Sequence, residues 1–168
     1  MRVLGIDCGG EYTGYGVVEQ SAVGELLYVD CGVIVLSTRL PLPVRLKTIF
    51  AAIGAVIERH RPELVAIEEV FYAVNPKSVL KLGQVRGVAM LAAASHDLPV
   101  AEYAPLSIKS AVVGYGRADK HQVQQMVTRL LKMAAPPESF DAADALAIAI
   151  CHLHTAATLD RQRATAGR

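Results

Sequence analysis

The residues able to do chemistry in this chain are carboxylates, each standing where an isolated negative charge is costly. Asp7 closes the apolar run that begins at Arg2, and Glu68 closes the run from Leu64 to Ile67. Asp141 and Asp144 open a stretch made almost wholly of alanine, leucine and isoleucine. A carboxylate in such surroundings must be paired, hydrogen-bonded or bound to a metal. Asp141 and Asp144 are three apart, so on a helix they share one face near its N-terminus, where unpaired amides and the helix dipole tolerate negative charge. Four converging carboxylates would raise one another's pKa values. Magnesium or manganese would relieve that repulsion, because both take oxygen ligands and seldom fill their shells with protein alone. Two such ions about 4 Å apart can bridge a phosphate, activate a water and stabilise a leaving 3′ oxygen.

Each carboxylate has a plainer reading by itself. Asp141 also reads as a first-turn capping residue, and Glu69 competes with Glu68, which the two-residue alternation from Ile67 favours. Taken together the four predict a metal-dependent phosphoryl-transfer or hydrolytic site. Lys109 and Lys120 flank the loop Gly114-Tyr-Gly-Arg117. They are placed to hold phosphate oxygens or offset charge in a transition state, if they are not solvated surface lysines. Phe71 and Tyr72 follow Glu68 in a polar loop, where exposed aromatics stack on bases or wedge between them, or else fold back over the core.

Cys8, Cys31 and Cys151 are odd in number and widely spaced, so they form neither a disulfide framework nor a metal cluster. They suit a reduced, cytoplasmic setting. His60 and His96 fall at helix ends, His121 on an outer helix, and His152 and His154 are two apart and share no helical face. A structural role fits all five better than metal binding.

Positioning these groups requires alternating strands and helices, which points to α/β layers. Residues 2–7, 14–20 and 26–36 read as three sequential, antiparallel neighbouring strands around a glycine-containing turn at 8–10. Pro41 and Pro43 open a helix whose stripe is Leu46, Ile49, Phe50, Ile53 and Ile57, and Pro62 stops it. A strand over 64–68 and a helix over about 77–95 follow. Gly83 and Gly87 within that helix mark close approach by another element, either the sheet or a second subunit. A short strand at 98–103, a turn or helix from Pro105, a helix from 118 to about 133 and a last helix from 141 to about 154 complete the order. Residues 1–156 read as one domain and 157–168 as a mobile tail.

Composition sets the outer bounds. At 168 residues and 52% hydrophobic, the chain builds one packed core and is short for two. No run reaches the roughly 18 apolar residues of a membrane helix. Met1-Arg2 leads into the first strand without a secretory apolar region. Net charge is only +1, but residues 68–132 hold eight basic against five acidic side chains, while 1–67 hold six against seven. That bias suits one basic face, and its Lys77, Lys81, Arg86 and Arg117 join Lys109 and Lys120 as candidate contacts to a phosphate backbone.

Five stretches, 4–9, 13–17, 67–71, 80–87 and 141–148, resemble in order and spacing the RuvC family of bacterial crossover junction endodeoxyribonucleases. The likeness runs from Arg2 to about His154. It implies an RNase H-like fold with a mixed five-stranded sheet flanked by helices, and a homodimer that cuts opposite strands of a four-way Holliday junction, leaving 5′-phosphate and 3′-hydroxyl ends. It implies that Asp7, Glu68, Asp141 and Asp144 bind magnesium, two ions per subunit, with manganese as a substitute. Lys109 and Lys120 would support catalysis, Phe71 would stack on a base, and the helix over 77–95 would supply dimer contacts. The implied partners are RuvA- and RuvB-type branch-migration proteins. Cys8 and Gly10 depart from a proline and a serine common in the family, and Phe140 is a bulky neighbour for Asp141. A non-catalytic junction binder and an RNA-directed nuclease of the same fold stand as alternatives. An actin-like kinase would need a second domain for which 168 residues leave no room.

Overall fold

The computed structural model describes residues 1–69 and 76–166, with side chains at 1–69 and 79–158. Phe71 and Tyr72, and the side chain of Lys77, lie outside the described residues. In chain order the elements are β1 (Arg2–Asp7), β2 (Tyr12–Gln20), β3 (Leu26–Val35), α1 (Leu42–His60), β4 (Leu64–Glu68), α2 (Pro76–Ala94), β5 (Val100–Tyr103), α3 (Pro105–Val113), α4 (Lys120–Leu130) and α5 (Phe140–Ala166). The sheet order is β3-β2-β1-β4-β5. The first three strands pair antiparallel, while β1–β4 and β4–β5 are parallel. This is the mixed five-stranded sheet with flanking helices that the family resemblance implies.

Local chemistry sets the element ends. Arg61, in the left-handed region at φ 46°, closes α1 by donating to the carbonyl of Ile57, and Pro62 prevents continuation. Gly114 closes α3 at φ 92°. Asp119 caps α4 reciprocally: its carboxylate accepts from the Gln122 amide, and the Gln122 side chain accepts from the Asp119 amide.

Alternation along the central strands separates two cores. Leu4, Ile6, Val65 and Ile67 pack with Ile49, Ile53, Val85 and Ala89 of α1 and α2. Val3, Val18 and Ala66 pack on the other face with α3, α4 and α5, including Val112, Val127, Leu146 and Ile150. Both clusters are buried, which explains why β1 and β4 are apolar on both sides.

The third face-setting feature is the seat of α5 on β1 and β2. A methyl group at Gly5 would overlap the carbonyl oxygen of Ala145, and one at Gly14 would overlap that of Asp141. Helix and strands therefore meet backbone to backbone, with Ala142, Ala145 and Ala149 supplying the small side chains on the helix. By contrast, Cβ atoms at Gly83 and Gly87 would have nothing within 4 Å, so tight packing on the sheet is not what these glycines serve.

Several bounds differ from expectation, β5 beginning at Val100 and α4 running from Lys120 to Leu130. Strand β2 begins at Tyr12, ahead of the expected residue 14, because its pairing with β3 extends to Tyr12–Val35. Helix α5 continues to Ala166, past the end near His154 and through the segment read as a tail. The apolar pattern fades there while the helix itself runs on. Propagating an existing helix costs far less than nucleating one.

Gly14→Ala is expected to destabilise the fold by about 1–3 kcal/mol or more, because a rigid backbone oxygen must give way. Urea unfolding measures this. Gly83→Ala, made in parallel, should cause no comparable loss.

Candidate active site

Strand register brings the first two carboxylates together. Ile6 stands opposite Ile67 in the parallel β1–β4 pair, so Asp7 and Glu68 emerge at equal height from neighbouring strand ends. Alternation places both on the face of Val3, Gly5 and Ala66, the one covered by α5. The first turn of α5 crosses over Gly14, which pairs with Asp7 in β1–β2, so Asp141 and Asp144 arrive over the same strand ends.

Asp7, Glu68, Lys109, Lys120 and Asp144 line one cavity of about 270 Å³, whose apolar wall includes Ile108 and Val123. Lys120 Nζ lies 3.8 Å from Asp144 Oδ2. Asp141 is not in this lining. Its Oδ2 accepts from Ser139 Oγ at 3.1 Å, and its amide donates back to that same oxygen at 3.1 Å. It nevertheless acts electrostatically on Asp7. Glu68, not Glu69, lines the cavity; the Glu69 amide donates to the carbonyl of Tyr103 at 2.9 Å, continuing the β4–β5 pairing.

The charges are held in an unfavourable state. Burial raises the Asp7 pKa to about 7, reinforced by the negative charges of Asp144, Glu68 and Asp141 and offset in part by Lys120. Glu68 is raised by burial and by Asp144, against the pull of Lys109 and Lys120. Asp144 is raised by burial, with Lys120 working in the opposite direction. A set of buried, mutually repelling oxygens beside two lysines suits a cation together with an anionic ligand. Among the described residues, no three acidic, histidine or cysteine side chains are drawn into a closed ligand set.

The other expected contacts divide. Arg86 donates from Nε to the Glu68 carbonyl at 3.2 Å and pairs with Glu102, so it braces the end of β4. Lys81 lines a separate cavity with Arg45, and Arg117 is exposed in the loop before α4 without lining the carboxylate cavity. Burial and the charge of Asp7 push the Cys8 thiol up to about 12, leaving it a packing group. Cys31 and Cys151 are also free thiols. The histidines have structural partners: His60 with Asp30 at 2.8 Å, His96 with the Ala92 carbonyl, His152 with the Tyr103 hydroxyl, and His154 with the Ala111 carbonyl.

Two contacts were not read from the sequence. Ser139 caps α5 and orients Asp141; a serine just ahead of an apolar helix is a recognisable capping signal. Phe140 meets His121 edge to face, with centroids 4.9 Å apart at 89°. That ring contact ties the start of α4, which carries Lys120, to the start of α5, which carries Asp141 and Asp144. Nothing in the spacing of His121 and Phe140 announces it.

Acidic side chains from two adjacent parallel strand ends, faced by a helix bearing two more and by two lysines, on an RNase H-like fold, are the arrangement a carboxylate-centred phosphodiesterase needs. Residues 3–152 match the family model described as crossover junction endodeoxyribonuclease RuvC. The chain is 61% identical over 166 residues to the crossover junction endodeoxyribonuclease RuvC of Koribacter versatilis, spanning 99% of this chain and 100% of that one. Among solved structures, Thermus thermophilus RuvC superposes with a TM-score of 0.84 at 35% identity, covering 94% of this chain and 96% of the other. Thermus thermophilus RuvC in complex with a Holliday junction substrate gives 0.86 at 32% identity, with the same coverage. The chain belongs to the RuvC family of crossover junction endodeoxyribonucleases.

The raised Asp7 pKa sets a pH dependence with a definite sign. Between the ordinary value of 3.8 and about 7, the folded protein binds a proton at Asp7 that the unfolded chain has released. The contribution of Asp7 to stability is therefore fullest below about pH 4 and is lost as pH rises through about 7. In chelator, Asp7→Asn should remove that part of the decline and be more stable than the parent at pH 8. Urea unfolding from pH 4 to 8 checks this, and identical slopes for the two proteins would contradict it.

Proposed function

We propose that this chain resolves four-way DNA junctions as a homodimer, each subunit hydrolysing one phosphodiester at symmetry-equivalent positions and leaving 5′-phosphate and 3′-hydroxyl ends. The observation that carries the reading is the gathering of Asp7, Glu68, Asp144, Lys109 and Lys120 around one cavity at the ends of parallel strands.

Asp7, Glu68, Asp141 and Asp144 would hold magnesium, as two ions per subunit, with manganese able to replace it. When bound, the metal supplies Lewis-acid activation of water and stabilisation of the leaving oxygen. Burial of Asp7 keeps bulk water from screening the site, and Ser139 holds the Asp141 carboxylate in a set orientation. Lys109 and Lys120 neutralise the non-bridging oxygens of the scissile phosphate. Lys120, 3.8 Å from Asp144, is within range of both the carboxylate and a phosphate seated beside it. Phe71 and Tyr72 would meet bases near the crossover, with Lys77, Lys81, Arg86 and Arg117 contributing to backbone contacts. RuvA- and RuvB-type branch-migration proteins are the partners this activity calls for.

Two features support a dimer. Symmetric cutting of a pseudo-symmetric junction needs two sites related by a two-fold axis. The outer face of α1 and α2 carries the surface-exposed Val44, Phe50, Leu80 and Leu91, and the open positions Gly83 and Gly87 allow another backbone to come close. Leu80→Asp combined with Leu91→Asp should give a folded monomer by light scattering that nicks junctions without resolving them.

The deciding experiment compares cleavage of a mobile four-way DNA junction, linear duplex DNA and an RNA–DNA hybrid in magnesium. Preferential, paired cutting of the junction is expected. Asp7→Asn should abolish cutting while sparing junction binding, and Lys109→Ala or Lys120→Ala should slow it by about 10²- to 10³-fold without unfolding the chain. Equal activity on hybrid and junction would overturn the substrate assignment, and binding without cutting would make the protein a junction binder only.

A further inference from the structure

A second cavity, of about 540 Å³, begins where the catalytic strand ends. Its walls include Cys8, Gly10 and Glu11 of the β1–β2 turn, Thr38 from the segment before α1, Arg45 from the first turns of α1, and Lys81 of α2. Cys8 follows Asp7 directly, so this space adjoins the carboxylates on the side away from Lys109 and Lys120, which line the first cavity.

Its chemistry is that of an anion site. The Arg45 guanidinium donates through one terminal nitrogen to the Gly10 carbonyl, which tethers the turn to α1. Its Nε is buried and has no acceptor. An unsatisfied buried donor is costly, and an oxygen-rich ligand would remove that cost. Among the described residues, neither Arg45 nor Lys81 takes part in an ion pair. Helix α1 has no acidic residue in its first turn and no side-chain cap, so no internal carboxylate competes from that end. Glu11 is the opposing charge, exposed on the wall of the cavity. Two cations, a hydroxyl and an orphaned guanidinium donor against one exposed carboxylate favour a singly charged, oxygen-rich group. A phosphodiester of a nucleic-acid backbone has that chemistry.

We infer that this cavity is a backbone-phosphate subsite for the strand being cut, with Arg45 as its central ligand and Thr38 and Lys81 at its edges. The inference rests on the nuclease reading and adds a direction to it. The strand crosses the carboxylates between two cationic anchors, Lys109 and Lys120 on one side and Arg45 and Lys81 on the other. Arg45 thereby joins phosphate binding to the position of the turn that follows Asp7, because one guanidinium serves both.

The test is junction binding across a salt series, with Asp7→Asn as the uncut background, followed by fluorescence anisotropy. Arg45→Ala should weaken binding roughly tenfold. It should also make the plot of log affinity against log salt shallower by about 0.9, the slope owed to one neutralised phosphate. Arg45→Lys should restore most of the slope, Lys81→Ala and Thr38→Ala should weaken binding, and Glu11→Gln should strengthen it. Unchanged affinity and slope in folded Arg45→Ala would overturn the subsite, even if cleavage falls, since Arg45 would then serve only to hold Gly10. Should Arg45→Ala fail to fold, Lys81→Ala and Glu11→Gln decide: opposite changes in affinity uphold the subsite, and no change rejects it. A parent protein that neither binds nor cuts the junction would instead sink the nuclease reading, so the two failures are distinguishable.

Discussion

The structure depends on one close contact: the backbone of α5 lying directly on β1 and β2. Gly5 and Gly14 provide it, because any side chain at either position would occupy space held by the carbonyls of Ala145 and Asp141. Gly14 is also the partner of Asp7 in the antiparallel pair, so the contact that seats the helix sets the height at which its acidic turn meets the strand ends. The alanines of α5 are the complementary half of the same fit. A larger residue on either surface would displace the helix, and with it two of the four carboxylates.

That seat brings like charges together in a poorly solvated place, and the protein leaves the conflict open. Asp7 is raised to about 7 by burial and by its acidic neighbours, while Lys120 and Lys109 compensate only in part. An apolar core filled the same way would be more stable, so the arrangement reads as a device for binding something cationic and something anionic at once. The neighbouring cavity continues the pattern, with a guanidinium whose Nε has no internal acceptor. Stability comes from the two buried clusters on either face of the sheet, which also fix β1 and β4 as rigid mounts.

The two faces divide the labour. The α5 face holds the carboxylates, Lys109 and Lys120, and the ring contact between His121 and Phe140 keeps the two helix starts together. The α1–α2 face carries exposed apolar side chains and glycines with open space beside them. A site on one side of a sheet and exposed apolar side chains on the other fit the proposed dimer.

Much of this was legible in the residues alone. Alternation and apolar runs marked β1 and β4 and put Asp7 and Glu68 at their ends, because period-two burial is a local property of a strand. The three-residue spacing of Asp141 and Asp144 marked a shared helical face for the same local reason. What the residues could not show was the seat of α5, since Gly5 and Gly14 look like strand-weakening positions until the opposing helix is present. The His121–Phe140 contact and the Arg45 tether to Gly10 were equally hidden, joining groups whose partners only packing selects, whereas Ser139 beside Asp141 is a local capping contact. The sequence by itself determined which carboxylates were available and on which elements; the tertiary structure decided how close they come and which cations face them. The physical reason is range: backbone periodicity acts over a few residues, whereas burial and Coulomb coupling depend on distances that only the folded chain defines.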